Sequence, residues 1–87
     1  MTTILEPPFK SRLRSLPPND QKAILDAVAD PRHPRCRLKK ILSGRLRKES
    51  WSIRIRNFKF RAVAQKEDGA FRWYWVGTRE EANRLFC

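Results

Sequence analysis

The chain has 87 residues, 40% hydrophobic and 33% charged, with 20 Lys and Arg against 9 Asp and Glu, for a net charge of +11. That length predicts one domain, residues 1–87, with no room for a second core, and the apolar fraction argues against disorder throughout. A pI near 10.9 points to a polyanionic partner: RNA, DNA, a ribosomal surface or an acidic protein.

Residues 1–9 (MTTILEPPF) lack the basic start and long apolar run of a secretory signal. No stretch approaches the roughly 20 apolar residues of a membrane span. Cys36 and Cys87 are isolated thiols, which suit neither a disulfide scaffold nor a metal site. A cytoplasmic protein without metal or cofactor is therefore expected.

In chain order, residues 2–5 are short and partly β-branched and could form an edge strand. After Pro7 and Pro8, the spacing of Phe9, Leu13 and Leu16 predicts a first helix, ended by Pro17 and Pro18. Asn19 is placed to cap a second, with Ala23, Ile24, Ala27 and Val28 as its apolar stripe and Pro31 as its stop. Residues 32–34 read as loop, and residues 38–42 (LKKIL) fit a short strand or a turn of helix, closed by Gly44.

The second half alternates with period two. Residues 51–55 (WSIRI), 60–65 (FRAVAQ) and 71–76 (FRWYWV) read as strands. Asp68 and Gly69 form a two-residue hairpin signal, and Asn57 and Phe58 are placed as the earlier turn. Thr78 and Glu81 have the spacing of a capping box, opening a last helix with Ala82, Leu85 and Phe86 on its buried side.

These turns fix a register. Ala64 falls opposite Trp73, Ala62 opposite Trp75, Ile55 opposite Phe60 and Arg54 opposite Arg61. One sheet face then collects Trp51, Ile53, Ile55, Phe60, Ala62, Ala64, Phe71, Trp73 and Trp75 for the helices to cover. The other carries Ser52, Arg54, Arg61, Val63, Gln65, Arg72, Tyr74 and Val76. Like charges directly opposite on one face repel, so the Arg54 and Arg61 pair suggests an anionic ligand between them. The wider run from Arg35 to Arg61 holds Lys39, Lys40, Arg56 and Lys59 among its cations and only one acid, Glu49, which favours a binding surface over a merely solvated one.

Taken together, these segments resemble RelE/ParE-type toxins. Residues 73–86 (WYWVGTREEANRLF) are similar to that family's closing strand and helix, and residues 51–55 and 60–63 to its central strands. Residues 30–34 (DPRHP) and 42–44 (LSG) resemble its loop and Leu-x-Gly elements. The resemblance implies an α+β fold: an N-terminal helical hairpin packed on a twisted, mostly antiparallel sheet of three to four strands, with a short C-terminal helix.

It also implies the toxin of a type II toxin–antitoxin system, monomeric when free, paired with an acidic antitoxin and directed at mRNA or the ribosome. Metal-independent RNA cleavage is the leading expectation. Arg54, Arg61 and Arg79 match positions that are basic in active members, with Tyr74 beside them as a catalytic candidate. Ser52, Lys39, Lys40, Arg56, Lys59 and Arg72 complete the RNA-contacting set. Two departures temper this. Leu85 and Phe86 stand where a catalytic tyrosine is common, and Ser52 stands where a second basic residue is. Arginine stays protonated and cannot act as a base, so proton transfer would fall to Tyr74 or His33. A gyrase-poisoning toxin of the same fold, or a non-toxic antitoxin-binding relative, needs no such group.

Overall fold

The computed structural model describes residues 2–41, 50–56 and 59–86. In chain order the elements are β1 (Thr2–Leu5), α1 (Pro7–Arg14), α2 (Pro18–Ala29), a 3-10 turn (Pro34–Cys36), β2 (Lys39–Ile41), β3 (Ser50–Ile55), β4 (Phe60–Glu67), β5 (Ala70–Thr78) and α3 (Arg79–Phe86). The LSG element, Asn57 and Phe58 lie outside the described residues.

The sheet is larger than the sequence suggested. Five strands run in the order β1-β5-β4-β3-β2. β1 lies parallel to β5, with Leu5 opposite Trp73, and the remaining pairs are antiparallel. Residues 2–5 form the edge strand that the sequence allowed, and residues 39–41, within the stretch that fitted strand or helix turn, form the strand at the other edge. β1 finds its partner far along the chain, which local pattern cannot reveal, while β2 pairs with the next strand.

The helices start at prolines because proline fixes a helical φ and needs no intrahelical N–H partner in the first turn. α1 begins at Pro7, two residues before Phe9, and ends at Arg14. α2 begins at Pro18 with Pro17 in the capping position. Asn19 therefore sits inside the helix and is not its cap. α1 rests on β5 and α2 on β3, so each helix meets a different strand, a rough fit to the expected hairpin. Phe9, Leu13, Ile24 and Val28 pack there against Ile53, Ile55, Phe60, Ala62, Ala64, Phe71 and Trp73 in one core.

The Asp68 and Gly69 turn has both residues at positive φ, 50° and 77°, as a type I′ hairpin requires. Glu67 faces Ala70 and Ala64 faces Trp73. Beyond that point β5 departs from the expected register. Trp73 pairs with Ala64 and Trp75 with Val63, leaving Tyr74 as an extra residue in a β-bulge. Ala62 then faces Val76, not Trp75. Since side chains alternate strictly along a strand, one extra residue exchanges the faces beyond it. Val76 enters the main core, while Trp75 turns to the other face and packs with Val63 and Ala82. Both assignments reverse those drawn from simple alternation.

α3 opens with a complete capping box. The Glu81 backbone N–H donates to Thr78 Oγ1, and the Thr78 backbone N–H donates to Glu81 Oε1, each at 3.2 Å. Ala82 is buried, but Leu85 is 50% exposed, against the expectation that it would face inward. α3 contacts β4 and β5 on the face away from α1 and α2, so that face is partly covered. Among the described residues, no helix is long and apolar enough to cross a membrane.

Candidate nucleic-acid interface

Positive charge gathers at one end of the sheet because two chain reversals meet there. The Arg79 backbone N–H donates to the Lys59 carbonyl at 3.1 Å, joining the start of α3 to the β3–β4 connection. Phe60 faces Thr78 and Arg61 faces Gly77. Arg54 lies directly opposite Arg61, as the sequence register required. Arg54, Arg56, Lys59, Arg61 and Arg79 thus share one corner of the molecule.

Arg61 is the most constrained of these. Its neighbour on β5 is Gly77, which offers no side chain, and its NH1 reaches Asn83 Oδ1 at a long 3.4 Å. Its Nε is buried, and nothing among the described residues accepts a hydrogen bond from it. A desolvated guanidinium N–H without an acceptor is costly, and such groups call for an explanation. An anion seated between Arg61 and Arg54 would supply the missing oxygen.

The other predicted residues divide. Arg79 and Lys59 are exposed, the latter with its ammonium 5.4 Å from the Phe60 ring centre. Lys39 and Lys40 are exposed on β2. Arg56 is held 3.4 Å from the Asp20 carboxylate. Arg72 lies between Glu6 at 2.9 Å and Glu67 at 3.3 Å, an arrangement that ties β5 to the N-terminal segment. Ser52 is only 9% exposed and presents little surface to a ligand.

Tyr74 occupies the bulge and packs beside Val63 and Trp75. Burial raises its phenol above the ordinary value, and a hydrogen bond with Ser50 offsets this only in part. A phenol that resists ionisation is a poor base near neutrality. His33 is placed differently. With Arg37, Arg54 and Arg56 it lines a groove of about 890 Å³ between α2 and β3. The groove lies on the face that α2 covers, whereas the Arg54 and Arg61 side chains share the face of α3. Among the described residues, no cluster of three or more His, Cys, Asp or Glu could hold a metal ion.

A second constellation was not legible in sequence. Arg12, from α1, donates through Nε to the Val76 carbonyl at 2.6 Å and through NH2 to Glu81 at 2.7 Å, with its guanidinium 5.0 Å from the Trp75 ring centre. It fastens α1, β5 and α3 together and so fixes where Asn83 meets Arg61.

These layers, with two helices on one face of the sheet, match a known architecture. The chain superposes on a chain of the archaeal RelE–RelB complex from Pyrococcus horikoshii OT3 with a TM-score of 0.60 and 19% identity, covering 90% of this chain and 93% of that one. The fold is a RelE-type fold. No protein-family model matches the sequence, and no curated protein does.

Proposed function

We propose that this protein is the toxin of a toxin–antitoxin pair and acts as a metal-independent endoribonuclease on mRNA. The observation that carries this is the cross-strand Arg54 and Arg61 pair, with the buried Arg61 Nε lacking an acceptor. The RelE-type fold supports it.

In the proposed reaction the two guanidinium groups hold a backbone phosphate. The 2′-hydroxyl loses its proton and its oxygen attacks the phosphorus. The bond to the 5′-oxygen breaks, and that oxygen takes up a proton. The products are a 2′,3′-cyclic phosphate and a free 5′-hydroxyl. Negative charge grows on the phosphoryl oxygens on the way, so fixed cations in a partly dry site act where charge develops. For proton transfer we propose His33, on the chemistry of imidazole as an acid–base side chain. Tyr74, half-buried and with its phenol raised, is the weaker candidate. Arg79, Lys59, Lys39 and Lys40 steer the RNA toward this corner.

An acidic antitoxin that lies across the basic corner would inhibit by occupying the phosphate position. In the cytoplasm the protein would exist as that complex, its free form a monomer.

Induction in a bacterial host tests the assignment. Protein synthesis should stop before DNA replication, and new mRNA 5′ ends should appear by primer extension, with chelator making no difference in a purified assay. Intact messages accompanied by DNA breaks would assign the protein to gyrase instead. Intact messages without growth arrest would leave it an antitoxin-binding module.

A further inference from the structure

We propose that Asp20 and Arg56 form a strut that positions Lys59 and Arg79 for RNA, so that the Arg56 guanidinium serves an acid of the fold and not a phosphate. This rests on the RNA-directed function proposed above.

Arg54 and Arg56 are two residues apart, and regular alternation would send both side chains to the face of α3. The strand ends at Ile55, however, and Arg56 has a left-handed backbone, φ 52°, a conformation disfavoured for a residue with a Cβ. Its Nε lies 3.4 Å from Asp20 Oδ1, in the first turn of α2. The guanidinium is thereby held on the α2 side of the sheet's end. The Asp20 side chain is only 11% exposed, and a carboxylate so placed needs a cation or hydrogen-bond donors. The start of a helix favours an acid there, and Arg56 supplies the cation. By contrast, none of Lys59, Arg61 and Arg79 has an acid within ion-pair distance among the described residues.

Two backbone hydrogen bonds carry this anchorage onward. The Lys59 N–H donates to the Arg56 carbonyl at 3.2 Å, and the Arg79 N–H donates to the Lys59 carbonyl at 3.1 Å. Asp20, Arg56, Lys59 and Arg79 thus link the first turn of α2 to the first residue of α3. The Lys59 ammonium lies 5.4 Å from the centre of the buried Phe60 ring, so its place follows from where the β3–β4 connection is held. An acid beside a phosphate-binding corner weakens the attraction for a polyanion. Charge alone therefore argues against Asp20, and position argues for it. Removing its charge separates the two effects, because they act on RNA affinity with opposite sign.

The test measures binding of a 2′-O-methylated oligouridine, which cannot be cleaved, over a series of salt concentrations. Asp20→Asn keeps the volume and removes the charge. It should bind about three- to tenfold more weakly than the wild type, although the protein becomes more positive. Arg56→Gln should weaken binding by a similar factor, and the double variant by no more than either single one, since both changes remove the same strut. Lys59→Ala should lower the salt dependence by about one phosphate contact in the wild type, and by much less in Asp20→Asn, where the ammonium is already displaced. The amide chemical shifts of Lys59 and Arg79 should move in Asp20→Asn. Circular dichroism reports whether each variant is folded, and Arg56→Gln reads the strut from its other end if Asp20→Asn is not. A lowered denaturation midpoint with unchanged RNA affinity of the folded protein would make the pair purely structural and overturn the proposal. Tighter binding in Asp20→Asn, with the salt dependence raised by about one contact, would make Arg56 a phosphate ligand and overturn it as well. Failure of the wild type to bind overturns the RNA function and this inference together.

Discussion

Arg12 and Glu81 stand 69 residues apart in sequence, yet the guanidinium meets the carboxylate at 2.7 Å. The same carboxylate caps α3, so one side chain holds both a helix terminus and the contact between α1 and α3. Its pKa is lowered, first by the Thr78 backbone N–H and then by Arg12. A carboxyl group with a depressed folded value adds stability above its unfolded value and loses it as pH falls through the folded one. Stability should therefore drop on the acid side, below the ordinary glutamate range, and Glu81→Gln should flatten that slope. With both partners well exposed the effect at neutral pH is modest, about 0.5–1 kcal/mol including the cap. Urea denaturation across pH 3–7 measures it. An equal acid slope in the variant would remove Glu81 from this role.

Gly77 should tolerate no side chain. An added Cβ would come within 2.7 Å and 2.8 Å of the Trp75 ring and 2.9 Å of Arg12 NH2. The arginine end could swing away, but the indole is packed, with Trp75 only 8% exposed. Gly77→Ala should cost roughly 1–3 kcal/mol by overpacking, read as a lowered denaturation midpoint at constant slope. A variant as stable as the parent would show that Trp75 has room to move.

The arginine pair should behave in the opposite way. Arg61→Ala relieves a like-charge contact and removes a buried donor, so thermal stability should hold or rise, by up to roughly 1 kcal/mol. RNA affinity should fall, and its dependence on salt should weaken by about one phosphate contact. Trp73→Ala, in the core, should instead lose roughly 3–5 kcal/mol. Should Arg61→Ala melt the protein while leaving RNA affinity untouched, the arginine is structural and the phosphate site is misplaced.

Burial, helped by the nearby Asp30, raises the Cys36 thiol, and the residue is 6% exposed. In a Cys87→Ser background a disulfide reagent at pH 8 should modify Cys36 slowly in native protein and rapidly in urea, since only the thiolate reacts. Equal rates would mean that the groove beside it opens readily.

The sequence was most informative where geometry is local. The Asp68 and Gly69 turn, the Thr78 and Glu81 cap and the pairing of Arg54 with Arg61 all follow from short spacings with few solutions. Non-local matters were hidden. Residues 2–5 were legible as a possible edge strand but their partner β5 was not, and Lys39–Ile41 is a strand because β3 offers it an edge. Asn19 is a good capping residue, but the double proline starts the helix two residues earlier. Within the candidate site, the arginine register was legible, but two properties were not. Tyr74 could be placed by alternation, but its partial burial could not, and His33 reaches the groove beside β3 only once α2 and the 3-10 turn are folded.

The bulge at Tyr74 gives β5 a divided allegiance. With one residue more than its partner, the strand sends Trp73 into the layer beneath α1 and Trp75 into the layer beneath α3. Deleting Tyr74 would restore regular pleating and turn Trp75 toward the crowded side, with Val76 left facing outward. The indole under Ala82 would be gone, and the last helix would lose the surface on which it sits. A single supernumerary residue thus lets a five-stranded sheet carry helices on both sides, and places Gly77, bare, across from Arg61.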